Sequence, residues 1–213
     1  AGRISAEAIA AIAKSFPIYF TIIAIGVGLT AGTNTLIGNN IGANNKKKAS
    51  LFVAQSIIFA IFLSILVTFF GLNVSDFLLS IMGSDQNGII LSRKYLDIIF
   101  YGTVIVLIQI SLNGALNAQG DTKSYRNVLI FSFFLNIFLN PLFIFGYGFI
   151  PAFGIAGLAI ATVVAQFIGL LYLAHKVYCC ELKQYLKLQC FIPKFNLLGE
   201  LVYQTIPVMF SML

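Results

Sequence analysis

The chain has 213 residues, 59% of them hydrophobic and only 9% charged, with 13 Lys and Arg against 7 Asp and Glu. Its mean hydropathy is +0.95, whereas a soluble domain carries roughly a quarter charged residues. An ordinary soluble domain is therefore excluded. The net charge of +6 does not indicate nucleic acid, because the basic residues are spread over the segments between apolar runs, where membrane orientation accounts for them.

No charged residue or His lies between Lys14 and Lys46, Lys48 and Asp76, Asp97 and Asp121, or Arg126 and His175. A crossing needs about 20 apolar residues, so the last gap holds two crossings and each of the others one. The expected fold is all-α: a polytopic membrane helix bundle of about five complete transmembrane helices plus the start of a sixth. Residue 1 is Ala rather than Met, and 206–213 opens an apolar run too short to cross. A piece of a longer protein is therefore expected.

In chain order, 1–15 is expected as a loop and helix start. The first span is 16–38, with Pro17 in its first turn, where a missing N–H is harmless. Along it Gly26, Thr30, Asn34 and Gly38 recur every four residues, and Gly28 and Gly32 form a GxxxG spacing suited to helix packing in lipid. GVGLTAG lacks both the spacing and the preceding strand of a dinucleotide fingerprint. A polar loop, 39–48, precedes a nearly uniform apolar span, 51–72, expected to face lipid. A longer loop, 73–94, leads to the third span, 95–119, with Gln109, Asn113 and Asn117 four apart. The turn GDTKSYR (120–126) lacks the order of a P-loop.

The segment 132–162 then joins two charge-free spans, 127–146 and 154–174. Ser132, Asn136 and Asn140 share one helical face. Pro141 follows directly, and a proline there kinks the helix and frees the carbonyl of Ile137. Thr162 and Gln166 make a further i,i+4 pair. The basic, partly amphipathic stretch 175–200 ends the pattern. It holds Cys179, Cys180 and Cys190, an odd count with an adjacent pair, which fits reduced thiols better than disulfides or zinc. His175 lies at a helix end, as an interfacial residue.

Polar side chains in mid-span are costly unless they face protein or water. One stripe could be helix glue, worth roughly 1 kcal/mol per hydrogen bond. Four stripes suit a water-lined cavity, since intramembrane polar groups are functional by default. Lys46, Lys47, Lys48, Lys123, Arg126, Lys176, Lys183, Lys187 and Lys194 hold nine of the 13 basic residues. Segments 39–50, 120–126 and 175–200 are accordingly expected to be cytoplasmic in a multi-pass inner (plasma) membrane protein. Asn140 would then lie in the outer half of the membrane.

The motifs GVGLTAGTNTLIGNNIGANNKKKA, YLDIIFYG, LNGALNAQGDTK, NIFLNPLFIFGYG and GIAGLAIATVVAQ resemble the N-terminal half of multidrug and toxic compound extrusion (MATE) transporters, in order and over nearly the whole chain. The resemblance implies twelve helices in two lobes and cation-driven antiport by alternating access. It also implies that 1–195 is the N-terminal lobe with its first, acid-bearing helix missing, and 196–213 the start of the second lobe. In the family's archaeal members an Asn is followed one turn later by Asp and then Pro. Here those positions are Asn136 and Asn140, so the carboxylate has become an amide. The family's sixth-helix Thr corresponds to Thr162 and an outer-end Tyr to Tyr95, while Asn39 replaces a common Gln.

The expected ion- or substrate-binding residues are thus Asn136, Asn140, Thr162, Tyr95, Asn34, Asn113, Asn117 and Gln166, with Na⁺ at Asn136, Asn140 and Thr162 the one metal considered. The expected activity is export of a small organic, cationic or amphipathic compound in exchange for Na⁺ or H⁺, with no other cofactor. The expected partners are the bilayer and the missing second lobe. A lipid-linked oligosaccharide flippase of the same superfamily is the alternative, but it would want cationic side chains in its cavity. A membrane-embedded enzyme would need a nucleophile, metal cluster or carboxylate pair, and only Asp97 near a span end is available.

Overall fold

The first three charge-free runs each become one helix and the last becomes two, and the helices are longer than a bilayer requires. A computed structural model describes residues 6–147 and 151–212. It gives α1 (Ala6–Gly42), α2 (Lys46–Ile81), α3 (Gln86–Asn117), α4 (Lys123–Phe145) and α5 (Ile155–Tyr178), then two short 3-10 turns and α6 (Phe195–Met212). The first five are long and apolar enough to cross a membrane. At 36 residues, α2 is about 54 Å long at 1.5 Å per residue, so it projects well beyond a hydrocarbon core of about 30 Å.

The extra length corrects several expected boundaries. The stretch 6–15 is helical, which puts Pro17 inside α1 rather than in its first turn. The expected loop 39–48 shrinks to 43–45, and 73–94 to four residues, because α2 continues to Ile81 and α3 starts at Gln86. At the end of the chain, helix resumes at Phe195, inside the stretch expected to be a loop.

Three connections share one chemical pattern. Asn44, Gly83 and Gly120 have φ of 54°, 71° and 82°, the left-handed conformation that closes a helix. The next amide in each case reaches back five residues, from Asn45 to Asn40, Ser84 to Leu79 and Asp121 to Leu116. An Asx side chain then caps the following helix: Asn45 accepts from Lys48, Asp85 from Gly88 and Asp121 from Ser124. Asp121 Oδ2 also accepts from Ser124 Oγ at 2.6 Å, and these bonds hold its carboxyl below the usual carboxylate range.

The bundle is built around α3, which packs against α1, α2 and α5; α4 packs mainly on α5 and α6 on α1. Lipid tails are as apolar as Leu, so close backbone approach rather than hydrophobic burial draws the helices together. Glycines make that approach possible. A Cβ on Gly114 would fall 2.8 Å from the Thr30 carbonyl, and one on Gly157 would meet the Phe143 carbonyl. Gly28 and Gly32 lie against Thr205 of α6, the helix packing expected of that pair.

The expectation that α2 faces lipid holds for half of it. Its second half exposes Phe62, Ile65, Phe69, Phe70 and Phe77, but Phe52, Val53, Ala54, Gln55 and Ser56 are buried against the rest of the bundle. At the end away from Lys46, Arg93 of α3 ties down Asp76 of α2 at 2.6 Å, its neighbour Asp97 at 3.5 Å and the Leu72 carbonyl at 3.4 Å.

Candidate functional site: a polar seam between α4 and α5

The register of α4 against α5 is set by two glycines. Gly169 abuts Val128, and Gly157 abuts Phe143, so the helices are antiparallel. Thr162, lying between those glycines, comes level with the turn of α4 that carries Asn136. Ser132, Asn136 and Asn140 continue the i+4 row that starts at Val128. Gln166 comes level with Ser132 by the same register.

Few of these polar atoms find partners. Asn136 Nδ2 donates to the Ser132 carbonyl at 2.9 Å, and Thr162 Oγ1 donates to the Leu158 carbonyl at 2.9 Å, each within its own helix. Ser132 Oγ, Asn136 Oδ1 and Asn140 Oδ1 are buried and without a partner. On α3, Gln109 Nε2 is also buried and unpartnered, at 2.6 Å from where a Gly169 Cβ would stand. A buried unpaired polar group costs about 1–3 kcal/mol. Four of them along one charge-free seam form a surface that gains by meeting polar oxygen, an amide or a cation.

Pro141 lies inside α4, which continues to Phe145. Having no N–H, it leaves the Ile137 carbonyl without its usual helical donor. The chain then turns back, with Phe153 and Gly154 donating to the Phe143 and Ile144 carbonyls at 3.0 and 3.2 Å.

The remaining expected residues fall elsewhere. Gly114 abuts Thr30 and Thr33, so Asn113 and Asn117 come level with the last turns of α1, near the end that carries Lys46. Asn34 is there too, and exposed; Asn113 is buried with Oδ1 unpartnered. Tyr95 lies towards the opposite end, half-buried against an apolar cluster with Ile18, Ile22 and Phe100. The eight residues therefore divide into an α4–α5 seam, an amide group near the lysine end, and an isolated Tyr95. Asp97, the acid considered for a membrane-embedded enzyme, is paired with Arg93.

A site that the sequence did not advertise is Gln55. It is fully buried, Nε2 donates to the carbonyls of Cys190 and Ile192, and Oε1 accepts from Lys194 N, each at 2.8 Å. A single Gln in an apolar run has no helical partner to mark it.

Comparison with known proteins decides the family. The MatE family model matches residues 1–142. The chain belongs to the MatE family. This MatE chain is 31% identical over 159 residues to the probable multidrug resistance protein YoeA of Bacillus subtilis, covering 75% of the chain and 34% of that protein. It is 29% identical over 168 residues to an FAD transporter of Shewanella oneidensis, covering 79% of the chain and 37% of that protein. Its fold matches the inward-facing structure of a multidrug resistance MATE family transporter of the MOP superfamily with a TM-score of 0.85 and 28% identity, over 97% of this chain and 46% of the other. The MatE chain thus spans less than half the length of these relatives. It is a multi-pass plasma-membrane protein.

Proposed function

We propose that the chain forms part of a secondary active transporter that exports organic, cationic or amphipathic compounds in exchange for Na⁺ or H⁺. Its similarity to proteins described as multidrug resistance transporters supports export as the activity. The observation that carries a role for this chain is the row of unpartnered oxygens of Ser132, Asn136 and Asn140 beside Thr162. Hard cations take oxygen ligands, and the seam offers neutral oxygens with no Lys or Arg to repel a cation.

Amides do not bind or release protons near neutral pH. The seam therefore serves as a site for a cation or for polar groups of the substrate, and a titrating proton carrier lies elsewhere. The energy suffices: one cation crossing ~100 mV gives about 2.3 kcal/mol and a tenfold gradient about 1.4 more, enough for two to three decades of substrate gradient.

The test is ion-driven flux by the full-length protein in proteoliposomes, offered a fluorescent organic cation and, because one relative is an FAD transporter, FAD. Cation movement that requires an imposed Na⁺ or H⁺ gradient is the expected result. Movement of FAD alone would replace the substrate class, and flux indifferent to both gradients would remove antiport.

A further inference from the structure

We propose that Gln55 is a positioning residue for transport: it latches the linker between α5 and α6, so that α6 turns about its own first turn instead of riding on slack chain. The role in transport rests on the function proposed above; the latch itself does not.

The linker, residues 179–194, could stretch about 50 Å if extended at about 3.3 Å per residue. It is instead folded into two short 3-10 turns and docked on α2. Leu182 and Cys190 are buried, at 2% and 7% exposure, the first within the main apolar core. Gln55 uses both Nε2 hydrogens on the carbonyls of Cys190 and Ile192 and accepts the amide hydrogen of Lys194. All three bonds go to main-chain atoms within the last five residues before α6. Such a buried amide specifies position, because any displacement of the linker strands several polar groups at once. The surface ion pairs Lys46–Glu181 at 2.6 Å and Lys48–Glu200 at 3.8 Å flank it, and exposed pairs of that kind hold little on their own.

Farther along α6 the joint is of another kind. Gly28 and Gly32 of α1 meet Thr205 and Met209 closely, yet Thr205 Oγ1 is buried without a partner. The α1–α6 seam is therefore packed but not pinned at this hydroxyl, while the beginning of α6 is pinned. A helix held at one end and smooth beyond it tilts rather than translates, a movement that alternating access can use.

The experiment compares Gln55→Met and Gln55→Glu with wild type in the full-length protein. Alkylation by a maleimide is read at the Cys190 peptide, and efflux of a fluorescent cation is measured in parallel. Gln55→Met keeps the volume and deletes the polar atoms; it should raise Cys190 alkylation about tenfold by local opening and lower the maximal efflux rate with the half-saturating concentration unchanged. A protonated carboxyl has one hydrogen to donate to one of the two carbonyls and still accepts from Lys194 N, whereas a carboxylate donates to neither, so Gln55→Glu should regain part of the wild-type protection and rate as the pH falls. Unchanged Cys190 alkylation in both variants would overturn the latch. Exposed Cys190 with wild-type efflux would overturn the positioning role. A wild-type protein that moved no cation, while Cys190 still responded, would sink the transport function and leave the latch standing.

Discussion

Asn136 donates through Nδ2 to the Ser132 carbonyl one turn earlier in α4, at 2.9 Å, while its Oδ1 is buried without a partner. The donated bond orients the amide, and the free oxygen is what a cation or a substrate donor would meet. Asn140 offers the same free oxygen with no such bond shown. Conversion to Asp should therefore divide the pair. Asn136→Asp loses its donor and sets an anion against a carbonyl, so efflux should fall at least tenfold, roughly the cost of a charge-weakened hydrogen bond. Asn140→Asp should keep its activity and make it more pH-dependent, since a carboxyl can titrate where an amide cannot. Equal losses in the two variants would argue against this assignment.

The second prediction concerns orientation. Lys47 in the first turn of α2 and Asn87 in the first turn of α3 are both exposed, at opposite ends of a helix about 54 Å long. The lysine-rich end also gathers Glu181 and Glu200 through their ion pairs, and Lys46 holds the Glu181 carboxyl below its ordinary value. Single cysteines at the two positions should label from opposite faces of intact cells, with Asn87→Cys reached from outside. Labelling of Lys47→Cys by an impermeant external reagent would reverse the orientation.

Stability on the acid side should depend on Asp121. Its carboxyl is lowered chiefly by the Ser124 hydroxyl bond; burial opposes this, and the Ser124 amide and the charge of Lys176 add smaller lowering effects. A group lowered in the folded state contributes stability that is complete above its unfolded value near 4 and is lost as pH falls through the lower folded value. Asp121→Ala should cost about 1 kcal/mol at neutral pH, the usual value of a helix cap. The difference from wild type should shrink below about pH 4. Thermal unfolding in detergent across that range measures it, and a difference independent of pH would mean that the cap acts without its charge.

The spans were legible because exclusion of charge over about 20 residues leaves few alternatives to a crossing. Helix ends were not, because Asn44, Gly83 and Gly120 end one helix while Asn45, Asp85 and Asp121 start the next within a residue or two. Polar composition alone makes such a stretch look like a longer loop. Burial of Phe52 and Val53 was hidden for another reason: lipid and protein interior favour the same apolar side chains, so composition cannot separate them. The stripe Ser132–Asn136–Asn140 could be seen as a face from its period. Its depth could not be compared with that of Asn113 or Asn34, since depth depends on which glycine meets which helix. Gln55 was invisible because its partners are main-chain atoms 135 to 139 residues away, and main-chain atoms leave no pattern in a sequence.

The central claim is that the amides of α4 bind ion or substrate rather than glue helices together. Efflux by Asn140→Ala in the full-length protein, with surface expression matched, tests it most directly against Asn117→Ala, which alters an amide near the lysine end. The account predicts that Asn140→Ala loses most ion-driven efflux, about tenfold or more if a bound cation or substrate loses one ligand, and that Asn117→Ala loses less. A wild-type rate with wild-type ion dependence in Asn140→Ala would contradict it and leave Asn136 and Asn140 as packing residues of the bundle.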